Sequence, residues 1–164
     1  IENVGAWSPA IRSKTSIRSS QKRNFIDPSI ATAAFGVSPE YFDKDYKTLG
    51  FLFESLCIRD LKIYSSNNDG HLSYYHDRLG LEADAVLHLN DGRYALIEIK
   101  LGEYGVEEGA KHLCEIERLV REYNKNAKQN PIRLPDLKLL ITATRYGYRR
   151  DDGVLVIPIG CLKD

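Results

Sequence analysis

Two stretches of alternating polarity, residues 81–89 and 93–101, flank the triplet Asn90-Asp91-Gly92, and this arrangement restricts the fold more than any other part of the chain. Successive side chains of a strand point to opposite faces. In the first stretch Leu81, Ala83, Ala85, Leu87 and Leu89 share one face, and Glu82, Asp84, Val86 and His88 share the other. In the second, Ala95, Ile97, Ile99 and Leu101 oppose Tyr94, Leu96, Glu98 and Lys100. A slip of one residue would turn an apolar face to solvent, so the two strands must pair with matching parity. A two-residue Asp91-Gly92 turn pairs Asp84 with Ile99 and fails that condition. A three-residue turn with Gly92 left-handed, as in a G1 bulge, meets it and pairs Leu89 with Arg93, Asp84 with Glu98 and Glu82 with Lys100.

Carboxylates directly opposed across a ladder are destabilising. Asp84 and Glu98 therefore require compensation, in part from Lys100 and more fully from a divalent cation, because oxygen-rich sites suit magnesium, manganese or calcium. The alternative is an exposed polar face, on which Glu82 and Lys100 form a surface ion pair worth ~0–1 kcal/mol. Glu54 adds a third acid. Its neighbours at helical spacing are Gly50, Phe51, Cys57 and Ile58, none of them polar, which predicts a buried carboxylate. Such a group must be paired, with Arg59 or Arg18 for instance, or protonated, or metal-bound.

Around this hairpin the chain reads as one domain of 164 residues. Asp27-Pro28 starts a helix that Gly36 ends, and Ser38-Pro39-Glu40 starts another short one. A long helix, apolar on nearly all sides and so expected to be buried, covers 45–65. Strands are expected at 71–77, 81–89 and 93–101, a helix at 106–126, and strands at 137–143 and 154–158. The order gives an α/β sandwich with a mixed sheet. Residues 1–26 read as an irregular basic segment preceding a domain at 27–164. A chain that opens at Ile1 and holds no methionine is expected to continue a longer protein.

Acids and bases balance at 23 each, so only local clusters bear on a nucleic-acid partner. Arg12, Lys14, Arg18, Lys22 and Arg23 form one cluster; Arg145, Arg149 and Arg150, interleaved with Tyr146 and Tyr148, form another. Both suit phosphates and bases, or simply a solvated surface. Cys57, Cys114 and Cys161 are widely spaced and share no ligand spacing with the histidines, which excludes a zinc knuckle and a disulfide framework. The cytoplasm is the expected compartment, since no signal peptide or apolar run long enough to span a membrane is present.

Glu54 on a helix, Asp84 on a strand and Glu98-Ile99-Lys100 on the next strand resemble the active-site pattern of the PD-(D/E)XK nucleases. More closely, Phe25-Ile26-Asp27-Pro28-Ser29, Leu49-Gly50-Phe51-Leu52-Phe53-Glu54-Ser55, Gly80-Leu81-Glu82-Ala83-Asp84, Ile97-Glu98-Ile99-Lys100-Leu101-Gly102 and the closing Val156-Ile157-Pro158-Ile159-Gly160 are similar to an uncharacterised nuclease-like family. That family forms the C-terminal domain of prokaryotic AAA+ ATPases. The first half of the superfamily motif reads Ala83-Asp84 here, which keeps the acid.

The resemblance implies a restriction-endonuclease-like αβββαβ core and hydrolysis of DNA phosphodiesters with Mg2+ or Mn2+. Asp84 and Glu98 would ligate the metal, with the Ile99 carbonyl; Glu54 would join directly or through water, Lys100 would orient the nucleophile, and Glu82 would support them. An auxiliary polar residue on the second helix would be Lys111 or Glu115. The competing expectation is an inactive nuclease-like fold kept as a DNA- or protein-binding module for the ATPase.

Overall fold

The computed structural model describes residues 1–9, 20–127 and 129–163. Two N-terminal strands, β1 (Glu2–Ala6) and β2 (Lys22–Asn24), pair antiparallel, where the sequence predicts irregular chain. Strands of five and three residues carry too little alternation to register as a period. Their pairing is secured instead by contacts remote in sequence. Val4 is buried against the long helix, and Trp7 packs edge-on to Tyr75 with ring centroids 6.0 Å apart.

The first helix, α1 (Pro28–Phe35), follows its capping chemistry. The Asp27 carboxylate accepts the Ser29 N–H at 2.8 Å, and Gly36 closes the helix at φ +62°. A 3₁₀ turn at Pro39–Asp43 precedes α2 (Tyr46–Ser66), which is capped by Asp45 through the Thr48 N–H. Only one side of α2 is buried, contrary to the sequence expectation. Phe53, Cys57, Ile58 and Leu61 pack on the sheet, whereas Phe51 and Ile63 are 60% and 57% exposed. A sheet covers one face of a helix, and Phe51 and Ile63 remain outside that contact.

The meander β3 (His71–His76), β4 (Glu82–His88) and β5 (Tyr94–Lys100) is antiparallel throughout. From β5 the chain crosses through α3 (Val106–Asn126) to β6 (Leu137–Thr142), parallel to β5 as a helical crossover requires. Strands β7 (Tyr148–Arg149) and β8 (Leu155–Pro158) complete one mixed sheet in the order β2-β1-β3-β4-β5-β6-β8-β7. The helices flank this sheet. Leu113, Ile116 and Val120 of α3 pack on Val86, Leu96, Leu140 and Val156, and α2 packs on Ala85, Ala95, Ile97, Ile99 and Ile141. Each large aliphatic side chain so buried contributes about 1.5–3 kcal/mol before entropy is subtracted.

The β4–β5 register is the one the three-residue turn requires. Ala85 pairs with Ile97 and His88 with Tyr94, the Leu89 N–H meets the Arg93 carbonyl at 2.9 Å, and Gly92 adopts φ +84°. On the other side of β4 the expected single apolar face breaks. Ser73 pairs with Val86 but Tyr75 pairs with Ala83, so two residues of β4, Asp84 and Ala85, stand against one of β3, Tyr74. This bulge moves Leu81 and Ala83 to the α3 side while Ala85 stays on the α2 side. Among the described residues no helix is long and apolar enough to cross a membrane.

Candidate functional site

Asp84 sits within that bulge. The β4–β5 pairs end at Ala85 and Ile97, and beyond them the Ile99 N–H donates to Asp84 Oδ2 at 2.8 Å. The bulge thus turns the carboxylate to cap an open ladder position instead of standing squarely on one face. Its other oxygen, Oδ1, lies 3.8 Å from Lys22 Nζ.

Lys22, reaching in from β2, also donates to Glu54 Oε1 on α2, so one ammonium bridges two acids. Glu54 is therefore paired, but with neither Arg59 nor Arg18. Arg59 is held by Asp27 and Asp60, and Arg18 lies outside the described residues. Burial raises the Glu54 pKa and the Asp84 charge raises it further, against the opposing pull of Lys22. Burial disfavours the Lys22 ammonium, yet Glu54 and Asp84 more than offset this and raise its pKa.

Glu98 follows Leu96 on the α3 side and is fully buried. Lys100 Nζ lies 2.9 Å from its Oε2, an ion-pair distance without hydrogen-bond geometry, and Oε2 has no hydrogen-bond partner. His112 Nδ1 is 3.4 Å from Oε1. Burial first, and then the Asp84 charge, push the Glu98 pKa up to about 8, with Lys100 opposing. Burial disfavours the Lys100 ammonium, but Glu98, Asp84 and Glu82 outweigh it and raise its pKa.

Glycine brings α3 close enough to hold this arrangement. A Cβ at Gly109 would fall 3.0 Å from Leu140 Cδ1, 3.3 Å from Lys100 Cε and 3.4 Å from Glu98 Cβ. Beside Asp84 opens a cleft of about 230 Å³ lined in part by Ser20, Lys22, Tyr74, His76 and Glu82. Glu82 is half-buried at its edge, 3.7 Å from His76 Nδ1.

Glu54, Asp84, Glu98 and Lys100 thus converge on one region, joined by Lys22 and by the electrostatic coupling of Asp84 to both other acids. Among the described residues, no three His, Cys, Asp or Glu side chains are grouped closely enough to hold a metal ion. The basic clusters divide. Lys22 belongs to the site, Arg23 is exposed on β2, and Arg12 and Lys14 lie with Arg18 outside the described residues. Arg145 and Arg149 are exposed, while Arg150 is engaged by Glu107 at 2.9 Å and Asp152 at 3.0 Å.

Neither expected residue of the second helix reaches the site. Lys111 is exposed beside Glu107, and Glu115 pairs with Arg118. His112 does reach it. The signal was present, because His112 borders the apolar stripe of Gly109, Leu113 and Ile116 at helical spacing.

The family model described as Domain of unknown function (DUF4143) matches residues 49–162. The chain belongs to this family. All four convergent residues lie inside the DUF4143 span, whereas Lys22 and the β1–β2 pair precede it. No curated protein and no solved structure matches the chain.

Proposed function

We propose that this DUF4143 domain is a divalent-metal-dependent nuclease of the PD-(D/E)XK type that hydrolyses DNA phosphodiesters. The observation that carries the reading is Glu98: a fully buried carboxylate whose Oε2 faces the Lys100 ammonium at 2.9 Å and whose pKa the Asp84 charge on the neighbouring strand helps to raise. A buried carboxylate is costly unless cations balance it, and Lys100 faces Glu98 without cancelling the neighbouring Asp84 charge, which still raises the Glu98 pKa. Asp84 and Glu54 would add further carboxylate oxygens, the donors that Mg2+ and Mn2+ prefer over softer metals. Asp84 and Glu98 would hold the ion and Glu54 would join through water, since the three side chains are not grouped closely enough for all to bind it directly. Such an ion polarises a phosphate and lowers the pKa of a bound water.

The chain's own groups supply the rest. Lys100 keeps its proton at neutral pH, so its ammonium orients the attacking water or stabilises charge that develops on the phosphoryl oxygens. His112 and Gly109 hold Glu98 and Lys100 in place from α3. Exposed Arg23, Arg145 and Arg149 are suited to phosphates without reading sequence. The helix, three-strand meander, helix, strand order around the four residues supports the same superfamily, and with it a place in the cytoplasm as the C-terminal domain of an AAA+ ATPase.

A second reading draws on the Lys22 bridge. With Glu54 and Asp84 already bridged by one ammonium, the acids serve as an internal ion network in a nuclease-like docking module. Cleavage of single-stranded, duplex and branched DNA in Mg2+ or Mn2+ separates the two. The nuclease reading expects metal-dependent cleavage that falls by about 10²–10³-fold in Lys100→Ala and is abolished in Asp84→Ala. Cleavage unchanged by both substitutions would remove the site from the reaction, and no cleavage by the wild type would favour the docking module.

A further inference from the structure

Lys22 brings a cation to Glu54 of α2 and Asp84 of β4 together. Its ammonium contacts Glu54 and stands 3.8 Å from Asp84 Oδ1. The backbone that delivers it is anchored at two points. Lys22 pairs with Val4 of β1, and the Ser20 carbonyl accepts the Tyr74 hydroxyl. The ammonium is thus held at this position by the sheet. Its side chain is still 34% exposed, and the cleft of about 230 Å³ beside Asp84, lined by Ser20, Gln21 and Glu82, offers it water and room. An ammonium and a divalent ion repel, so an ammonium seated between Glu54 and Asp84 disfavours a divalent ion on the same two carboxylates.

We propose that the Lys22 ammonium is the counter-ion that the Glu54–Asp84 pair holds when no divalent ion is bound, so that metal loading exchanges one ammonium for one ion. This rests on the metal site proposed above. Lys22 is a positioning residue in this scheme: it holds the two acids together, and it lowers the affinity of the metal that replaces it. The long flexible stem of lysine suits the displacement, which turns the ammonium into the cleft.

Mn2+ binding to the full chain, measured by electron paramagnetic resonance, tests the exchange without reference to activity. Lys22→Gln is expected to bind Mn2+ about tenfold or more tighter than the wild type, Lys22→Arg to bind no tighter, and Asp84→Asn to lose the site. Equal or weaker binding by Lys22→Gln, with Asp84→Asn still defective, overturns the exchange and leaves the metal site standing. No Mn2+ binding by any of these chains overturns both. Should Lys22→Gln not fold, the wild type serves: the Lys22 ammonium resonance is expected to move to a solvent-exposed position during a Mg2+ titration, and a resonance unmoved at saturation overturns the exchange.

Discussion

At Glu98, burial and the Asp84 charge favour the protonated acid, while the Lys100 ammonium 2.9 Å away favours the carboxylate. Burial prevails and sets the folded pKa at about 8, against about 4.3 in an unfolded chain. The native state therefore takes up a proton between those values. The stability this group contributes is fully present below the unfolded pKa and is lost as pH rises through about 8. In chelator, the urea midpoint is expected to fall between pH 5 and pH 9, and Glu98→Gln to flatten that slope and add roughly 1–3 kcal/mol at pH 8.5. A wild-type midpoint that rises over this range would contradict the assignment. Glu98 and Lys100 were legible in the sequence because they fall on one parity of a strand with unbroken alternation. Lys22 was not, since its role depends on where a three-residue strand pairs and the local sequence does not encode that partner.

The hairpin and α3 set the geometry in which those residues act. The turn was readable because only an odd loop reconciles two apolar faces, and left-handed Gly92 provides it. The bulge was not readable from β4, whose alternation runs through Asp84 without interruption. It exists only in relation to β3, where one residue meets two. The helix meets the site at Gly109, so Gly109→Ala drives a methyl group against Leu140, Lys100 and Glu98. That substitution is expected to destabilise the domain by about 1–3 kcal/mol and to lower metal-dependent cleavage in protein that remains folded. Thermal unfolding and the cleavage rate, measured together, check it. Wild-type values in both would mean that α3 does not press on the site.

Across the whole molecule, the N-terminal strands are part of the sheet and bring both Val4 and Lys22 to α2. Trp7, the only tryptophan, reports on that junction through its contacts with Tyr75 and Tyr94. Deleting residues 1–24 removes β1 and β2 and is expected to cost roughly 3–5 kcal/mol, read from urea unfolding followed by circular dichroism. In the intact chain, Trp7 fluorescence and circular dichroism should trace one coincident transition. Separate transitions would show that the N-terminal strands form a body apart from the DUF4143 core. The order of the central elements was legible because capped helices and alternating strands announce themselves locally. The outer strands β1, β2 and β7 are too short to do so. Under the proposed function, the assembly holds a buried acid where a metal and a lysine would act on a phosphodiester. Glu98→Gln is the sharpest probe of that purpose, since it keeps the shape of the side chain and removes only its charge. The deciding measurement is the rate of Mg2+-dependent DNA cleavage by wild type and Glu98→Gln at pH 8.5, each first shown to be folded. The account predicts a wild type that cleaves and a variant at least as stable but slower by about 10²-fold or more, whereas cleavage at the wild-type rate would contradict it.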